Sequence, residues 1–266
     1  MKRSRLALSA LTLLFARTVF AHDLWIEPSS FRPAVGERVT AALRVGQDLA
    51  GEAVPRIPAW IDRFILKGEA REIPLIGRTG ADPAGMVAIA EPGAQWIGYQ
   101  SNSYPMTVDA QKFETYLKEE GLERITAERA KKGQSQALGR ERFYRCAKAL
   151  LDVRASSVTA TVVGVPLGFT LELVPRKNPY SLQPGDALPL SLTFRGKPIA
   201  NVLVVAMRKD APQKSVRART DANGRVSLRL DAAGFWLVKA VHMEAAPPDA
   251  GVDWESWWAS MTFDLQ

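Results

Sequence analysis

From about Val153 to the C-terminus the chain repeats one pattern, short runs of alternating apolar and polar residues cut by turn residues. That period of two leaves little room for anything but β-structure. In QPGDALPLSLTFRGKPIANVLVVAMRK the runs follow a Pro-Gly turn. In TDANGRVSLRLDAAGFWLVKAVHM, Asn223-Gly224 marks a tight turn, with Val226, Leu228 and Leu230 alternating behind it. The N-terminal part reads the same way. Val39, Ala41, Leu43 and Val45 alternate with Arg38, Thr40 and Arg44 after a Pro33–Gly36 turn, and Pro92-Gly93 splits two further short runs.

Residues 107–152 break the pattern. VDAQKFETYLKEEGLERI offers Asp109 as an N-cap, Phe113, Tyr116 and Leu117 on one helical face, and Gly121 at the helix end. GRERFYRCAKALLD repeats helical spacing with Phe143, Cys146, Ala147, Leu150 and Leu151, which predicts a second helix. The expected fold is therefore mainly β. It comprises two β-sandwich modules of immunoglobulin-like or transthyretin-like build, 22–106 and 153–266, around a helical insert at 107–152. GERVTAAL at Gly36 and GDALPLSL at Gly185 share a glycine, an acid and alternating apolar residues, a hint of a diverged repeat.

The first 21 residues have the parts of a secretory signal. Lys2, Arg3 and Arg5 precede an apolar run from Leu6 to Phe15, and Val19 and Ala21 suit the −3 and −1 positions of a cleavage site. The run is shorter than the roughly 20 apolar residues that span a membrane. Cleavage after Ala21 makes the periplasm the expected address. It also removes four basic residues, leaving 31 Lys+Arg against 28 Asp+Glu, a net +3 that does not ask for a nucleic-acid partner. Cys146 is the single cysteine, so there is no intramolecular disulfide or CxxC motif, and it is expected to pack in a core.

The chain has two histidines, and cleavage would place one of them first. A terminal His22 carries a free α-amine and an imidazole on one framework, and the two nitrogens can chelate a single ion. The amine's ordinary pKa, about 7.7–8.0, lets a divalent metal displace its proton near neutral pH. His242, at the end of GFWLVKAVHM, would complete a three-nitrogen histidine brace suited to Ni(II), Co(II) or Cu(II). Asp23 beside His22, and Met243 and Glu244 beside His242, are candidate extra ligands or imidazole partners. Trp254, Trp257 and Trp258 read either as an aromatic platform or as a hydrophobic seam, and the seam is the expectation. No GxSxG, P-loop, dinucleotide-binding or HExxH motif occurs, so no catalytic residue is assigned.

AHDLWIEP, KEEGLE, RERFYRCAKALL, GDALPLSLTFRGKPIANVLVVA, TDANGRV and VHM followed by DWESWWASMTFDL resemble one family across nearly the whole mature chain. It is the family of periplasmic nickel/cobalt-uptake-associated proteins that includes the K component of energy-coupling-factor nickel transporters. The resemblance implies a non-enzymatic protein that binds Ni(II) or Co(II) outside the cytoplasm and delivers it to a membrane permease, reached here by docking. It also implies His22 and His242 as ligands. Two other readings of the same residues stay open: a copper-dependent histidine-brace oxygenase, and a metal-free carbohydrate- or protein-binding module using the tryptophans.

Overall fold

A computed structural model describes residues 22–153 and 161–266; the expected signal segment at 1–21 lies outside the described residues, as do 154–160. The strands begin with β1 (Asp23–Pro28), β2 (Arg38–Gln47), β3 (Ala50–Val54) and β4 (Ile61–Lys67). β5 (Glu72–Pro74), β6 (Gly85–Ala88), β7 (Gly93–Ser101) and β8 (Tyr104–Val108) lead to two helices, α1 (Ala110–Glu119) and α2 (Glu123–Lys131). The long β9 (Gly139–Val153) follows, then β10 (Leu171–Pro175), β11 (Ala187–Phe194), β12 (Lys197–Pro198) and β13 (Leu203–Arg208). β14 (Val216–Arg219), β15 (Arg225–Arg229), β16 (Gly234–Ala245) and β17 (Trp254–Leu265) complete the described strands.

The mainly-β expectation holds, and the helical reading of 139–152 is corrected: this segment is β9. Its apolar residues fall at helical spacing because the strand is buried on both faces. Ala147, Ala149 and Leu151 enter one core, while Cys146 and Leu150 enter another. A strand wetted on one side would have alternated visibly. Within the first helix, Phe113, Tyr116 and Leu117 are buried as expected, and Gly121 ends the helix at φ +69°. Asp109 precedes the helix but makes no side-chain cap bond.

One nine-stranded sheet runs through the molecule in the order β14-β13-β16-β17-β9-β7-β4-β5, with β8 also paired to β9. Its central join is parallel, β17 against β9, in register from Trp254↔Glu141 to Thr262↔Ala149. Each face of this sheet carries a small four-stranded sheet. On one face lies β1-β2-β3 with β6, its core built from Ile26, Val39 and Leu43 against Ile97, Tyr99 and Ala149. On the other lies β10-β11-β12 with β15, packing Leu173, Leu190 and Leu228 against Trp96, Trp236 and Phe263. Each such fully buried side chain contributes roughly 1.5–3 kcal/mol. The two sandwich cores thus share one sheet.

β2 and β11, the strands of the suspected repeat, hold matching places. Each follows a glycine of positive φ, Gly36 (+89°) or Gly185 (+98°), and each bonds to every other strand of its small sheet. The Asn223-Gly224 turn is tight, with Gly224 at φ +70° and its N–H donating to Asp221 O at 2.9 Å. It leads from β14 in the large sheet to β15 in a small one, so it turns a corner between layers.

Lys148 and Glu172 are both 2% exposed and pair at 2.9 Å between β9 and β10. Glu172 also accepts the backbone N–H groups of Leu167, Gly168 and Phe169 at 2.7, 3.0 and 3.2 Å, which closes the loop before β10. Removing one member of such a buried pair strands the other charge, at a cost of about 3–5 kcal/mol. Glu172→Gln should therefore lower the urea midpoint sharply, and adding Lys148→Met should recover much of the loss.

Candidate functional site

Strand alternation decides which of the candidate residues meet. On β16, Lys239, Val241 and Met243 point to the face that carries β1 and the helices. Trp236, Val238 and Ala240 point to the opposite core. His242 shares the parity of the second set. Its ring lies 4.5 Å from Phe194 of β11 and 6.3 Å from Trp257, both members of that opposite core.

His22 belongs to the first face. It precedes β1, whose carbonyls at Leu24 and Ile26 accept Ser260 and Thr262 hydroxyls of β17 at 2.6 and 2.8 Å. Next to it, Asp23 pairs with Lys239 at 2.9 Å, and the same ammonium reaches Glu120 at the end of α1 at 2.8 Å. Burial opposes the Lys239 charge, but the two carboxylates hold its pKa above the usual lysine value. His22 is half-buried and lines a cavity of about 370 Å³ with Gln47 of β2 and Gln111, Thr115 and Glu119 of α1. Burial and the nearby Arg145 charge both lower the imidazole pKa, which favours the neutral ring.

The structure therefore does not bring His22 and His242 together; the large sheet stands between them. The two-histidine brace is not formed. His242 lines a separate cavity of about 900 Å³ with Arg124, Asn201 and Glu244. Its Nε2 lies 3.4 Å from Glu244 Oε1, and Glu244 in turn lies 3.4 Å from Arg195. Burial lowers the His242 pKa, partly offset by Glu244. Met243 is fully buried among Phe113, Leu117 and Trp258, and it also forms part of the wall of the His242 cavity. Among the described residues no three His, Cys, Asp or Glu side chains group closely enough to hold an ion by themselves.

The tryptophans form a seam and not a platform. Trp254 and Trp258 pack under the helices, Trp257 packs on the other side, and all three are at most 4% exposed. Cys146 is buried, and burial pushes its thiol up to about 12. Sequence reasoning missed the charged groups inside this face. Glu141 and Arg145 of β9 are 0% and 6% exposed, and Lys239 is nearly as deep. Glu141 Oε1 accepts the Tyr116 hydroxyl at 3.1 Å and the Ser256 hydroxyl, whose oxygen takes the Trp258 indole N–H at 3.0 Å. Only part of the strand hides its charges in this way, since Arg140 of the same strand is exposed.

With this geometry in view, the sequence matches, over residues 19–244, the family described as a domain of unknown function, DUF4198. The chain belongs to that family. No curated protein matches it. Among solved structures, a tetra-tandem repeat in the extending region of a large adhesion protein aligns with 92% of this chain at 14% identity and a TM-score of 0.21. This chain spans only 50% of that one. The D0-D1 domain of intimin aligns with 92% of this chain and 98% of its own length, at 13% identity and a TM-score of 0.22.

Burial raises the Glu141 carboxyl to about 7, against the hydrogen bonds from Ser256 and Tyr116 that favour its charge. The folded state therefore holds a proton that the unfolded chain has released, between the ordinary carboxylate range and about pH 7. Stability from this group is present at low pH and is lost as pH rises through that window, by about 3 kcal/mol in all. Glu141→Gln copies the protonated form. It should flatten the dependence of the unfolding free energy on pH between 5 and 8, measured by urea titration at each pH.

Proposed function

We propose that the protein works outside the cytoplasm as a binding protein that captures Ni(II) or Co(II) and passes it to a membrane permease. The chelate is His22 alone, through its α-amine after cleavage behind Ala21 and its ring nitrogen. The observation that carries this reading is the position of His22, half-buried on a cavity wall with its ring held neutral. A neutral imidazole is the form a metal requires. Asp23 and Glu120 are committed to Lys239, so the oxygen donors left on the cavity wall include Gln47, Gln111, Thr115 and Glu119. His242, Met243 and Glu244 leave the ligand set, because the first faces another cavity and the second a core.

The resemblance to the nickel/cobalt-uptake family supports the choice of ion. Cleavage supports it chemically, since the amine ligand does not exist in the precursor. No helix among the described residues is long and apolar enough to cross a membrane, and delivery is by docking. The copper-oxygenase reading needs both histidines on one ion. The tryptophan-platform reading needs exposed rings. Neither gains support from the geometry.

Calorimetric titration with Ni(II) and Co(II) of the chain beginning at His22, of a twin with one residue added before it, and of His242→Ala tests the reading. The added residue should weaken binding tenfold or more, at least about 1.4 kcal/mol, and His242→Ala should leave it unchanged. Equal affinity of the chain and its extended twin would overturn the proposal.

A further inference from the structure

Arg145 is the most anomalous charge in the molecule. Its side chain lies inside the protein at 6% exposure, and its Nη1 has no hydrogen-bond partner. Among the described residues no carboxylate stands within ion-pair distance of it. The neighbouring charges that favour its protonation, Asp23, Glu141 and Glu120, act from further away, and burial lowers its pKa. The rings of Phe143 and Trp258 flank the guanidinium at 4.8 and 4.6 Å, a partial substitute for water. A buried guanidinium with an open N–H is costly unless something else supplies an acceptor.

The guanidinium borders a place for one. Arg145 forms part of the wall of a cavity of about 290 Å³ between the β2–β3 edge and strands β7, β8 and β9. The remaining walls are apolar and aromatic, chiefly Leu24, Val54, Trp60, Tyr99, Tyr104 and Phe143. Among the described residues no acidic side chain lines it. The Tyr104 hydroxyl is a second buried polar atom without a partner, while the Tyr99 hydroxyl donates to Trp60 O at 3.4 Å. Ser101 does not satisfy the guanidinium, because its Oγ accepts the backbone N–H of Arg145 at 2.9 Å. Trp60, 38% exposed and edge-on to Tyr104 at 4.8 Å, stands at the mouth.

We infer that this cavity binds a small monocarboxylate with an apolar body, aromatic or short-chain aliphatic. The carboxylate meets the Arg145 guanidinium, and the apolar body fills the space between Trp60, Val54 and Leu24. A guanidinium at one end of an apolar slot matches that chemistry, since charge-assisted bonds fix the head and area burial holds the tail. A free inorganic anion would use the head and leave the walls wet. The site uses a different cavity from the one beside His22, although the Arg145 charge also acts on the His22 imidazole.

The test uses the chain beginning at His22, with a chelator present so that no metal takes part. Benzoate and hexanoate serve as probes, with benzamide, hexanamide and inorganic phosphate as controls, read by saturation-transfer NMR and by the shift in thermal midpoint. The carboxylates should bind saturably and at least tenfold more tightly than their amides or phosphate. Arg145→Met should abolish the difference between acid and amide. Ala53→Trp, which fills the cavity from its exposed rim without touching Arg145, should abolish binding altogether and decides the matter if Arg145→Met does not fold. Amides or phosphate binding as well as the acids, binding that survives Ala53→Trp, or no carboxylate binding up to about 10 mM would each overturn the inference.

Discussion

β17 bonds to β16 on one side and, in parallel, to β9 on the other, and that one strand carries two half-sheets into a single nine-stranded sheet. Everything else is laid on it. The β1–β2–β3 layer sits on one face through Ser260 and Thr262, and the β10–β11–β15 layer sits on the other around Trp236, Met261 and Phe263. Because a strand sends successive side chains to opposite faces, this sheet also sorts the molecule's chemistry.

The sorting is uneven. The face beneath α1 and β1 collects Asp23, Glu120, Glu141, Arg145 and Lys239, all largely removed from water. The other face is mostly apolar, with Lys148 and Glu172 as its buried charged pair. Within the crowded face the charges are only partly matched. Lys239 has two carboxylates, Glu141 takes two hydroxyls on Oε1 and leaves Oε2 without a partner, and Arg145 borders a cavity. Under the two binding proposals, this imperfect matching is the stability given up for binding chemistry.

Much of the fold was legible because half-buried strands advertise themselves. β2, β11 and β15 alternate visibly, and glycines of positive φ sit where turns were expected. β9 was not legible as a strand, because burial on both faces erases alternation and leaves apolar residues at helix-like intervals. The same segment carries the charge on which the inferred carboxylate site rests. In a helix, Glu141 and Arg145 would lie on a wet face; in β9 they are internal. His22 was legible as an unusual position, but its relation to His242 depended on strand parity 220 residues away, which no local pattern carries.

The join between β17 and β9 also has a cost in time. Trp254 pairs with Glu141 across 113 positions, so the central contact of the sheet forms only after a long loop closes. Until then β9 is an edge, with a strongly apolar C-terminal half and a row of unmet backbone groups that any other extended chain can use. The folding of this protein is therefore a race between its own distant strand and its neighbours' strands. The hazard is greatest for a chain that has been made as far as β9 but has not yet presented β17.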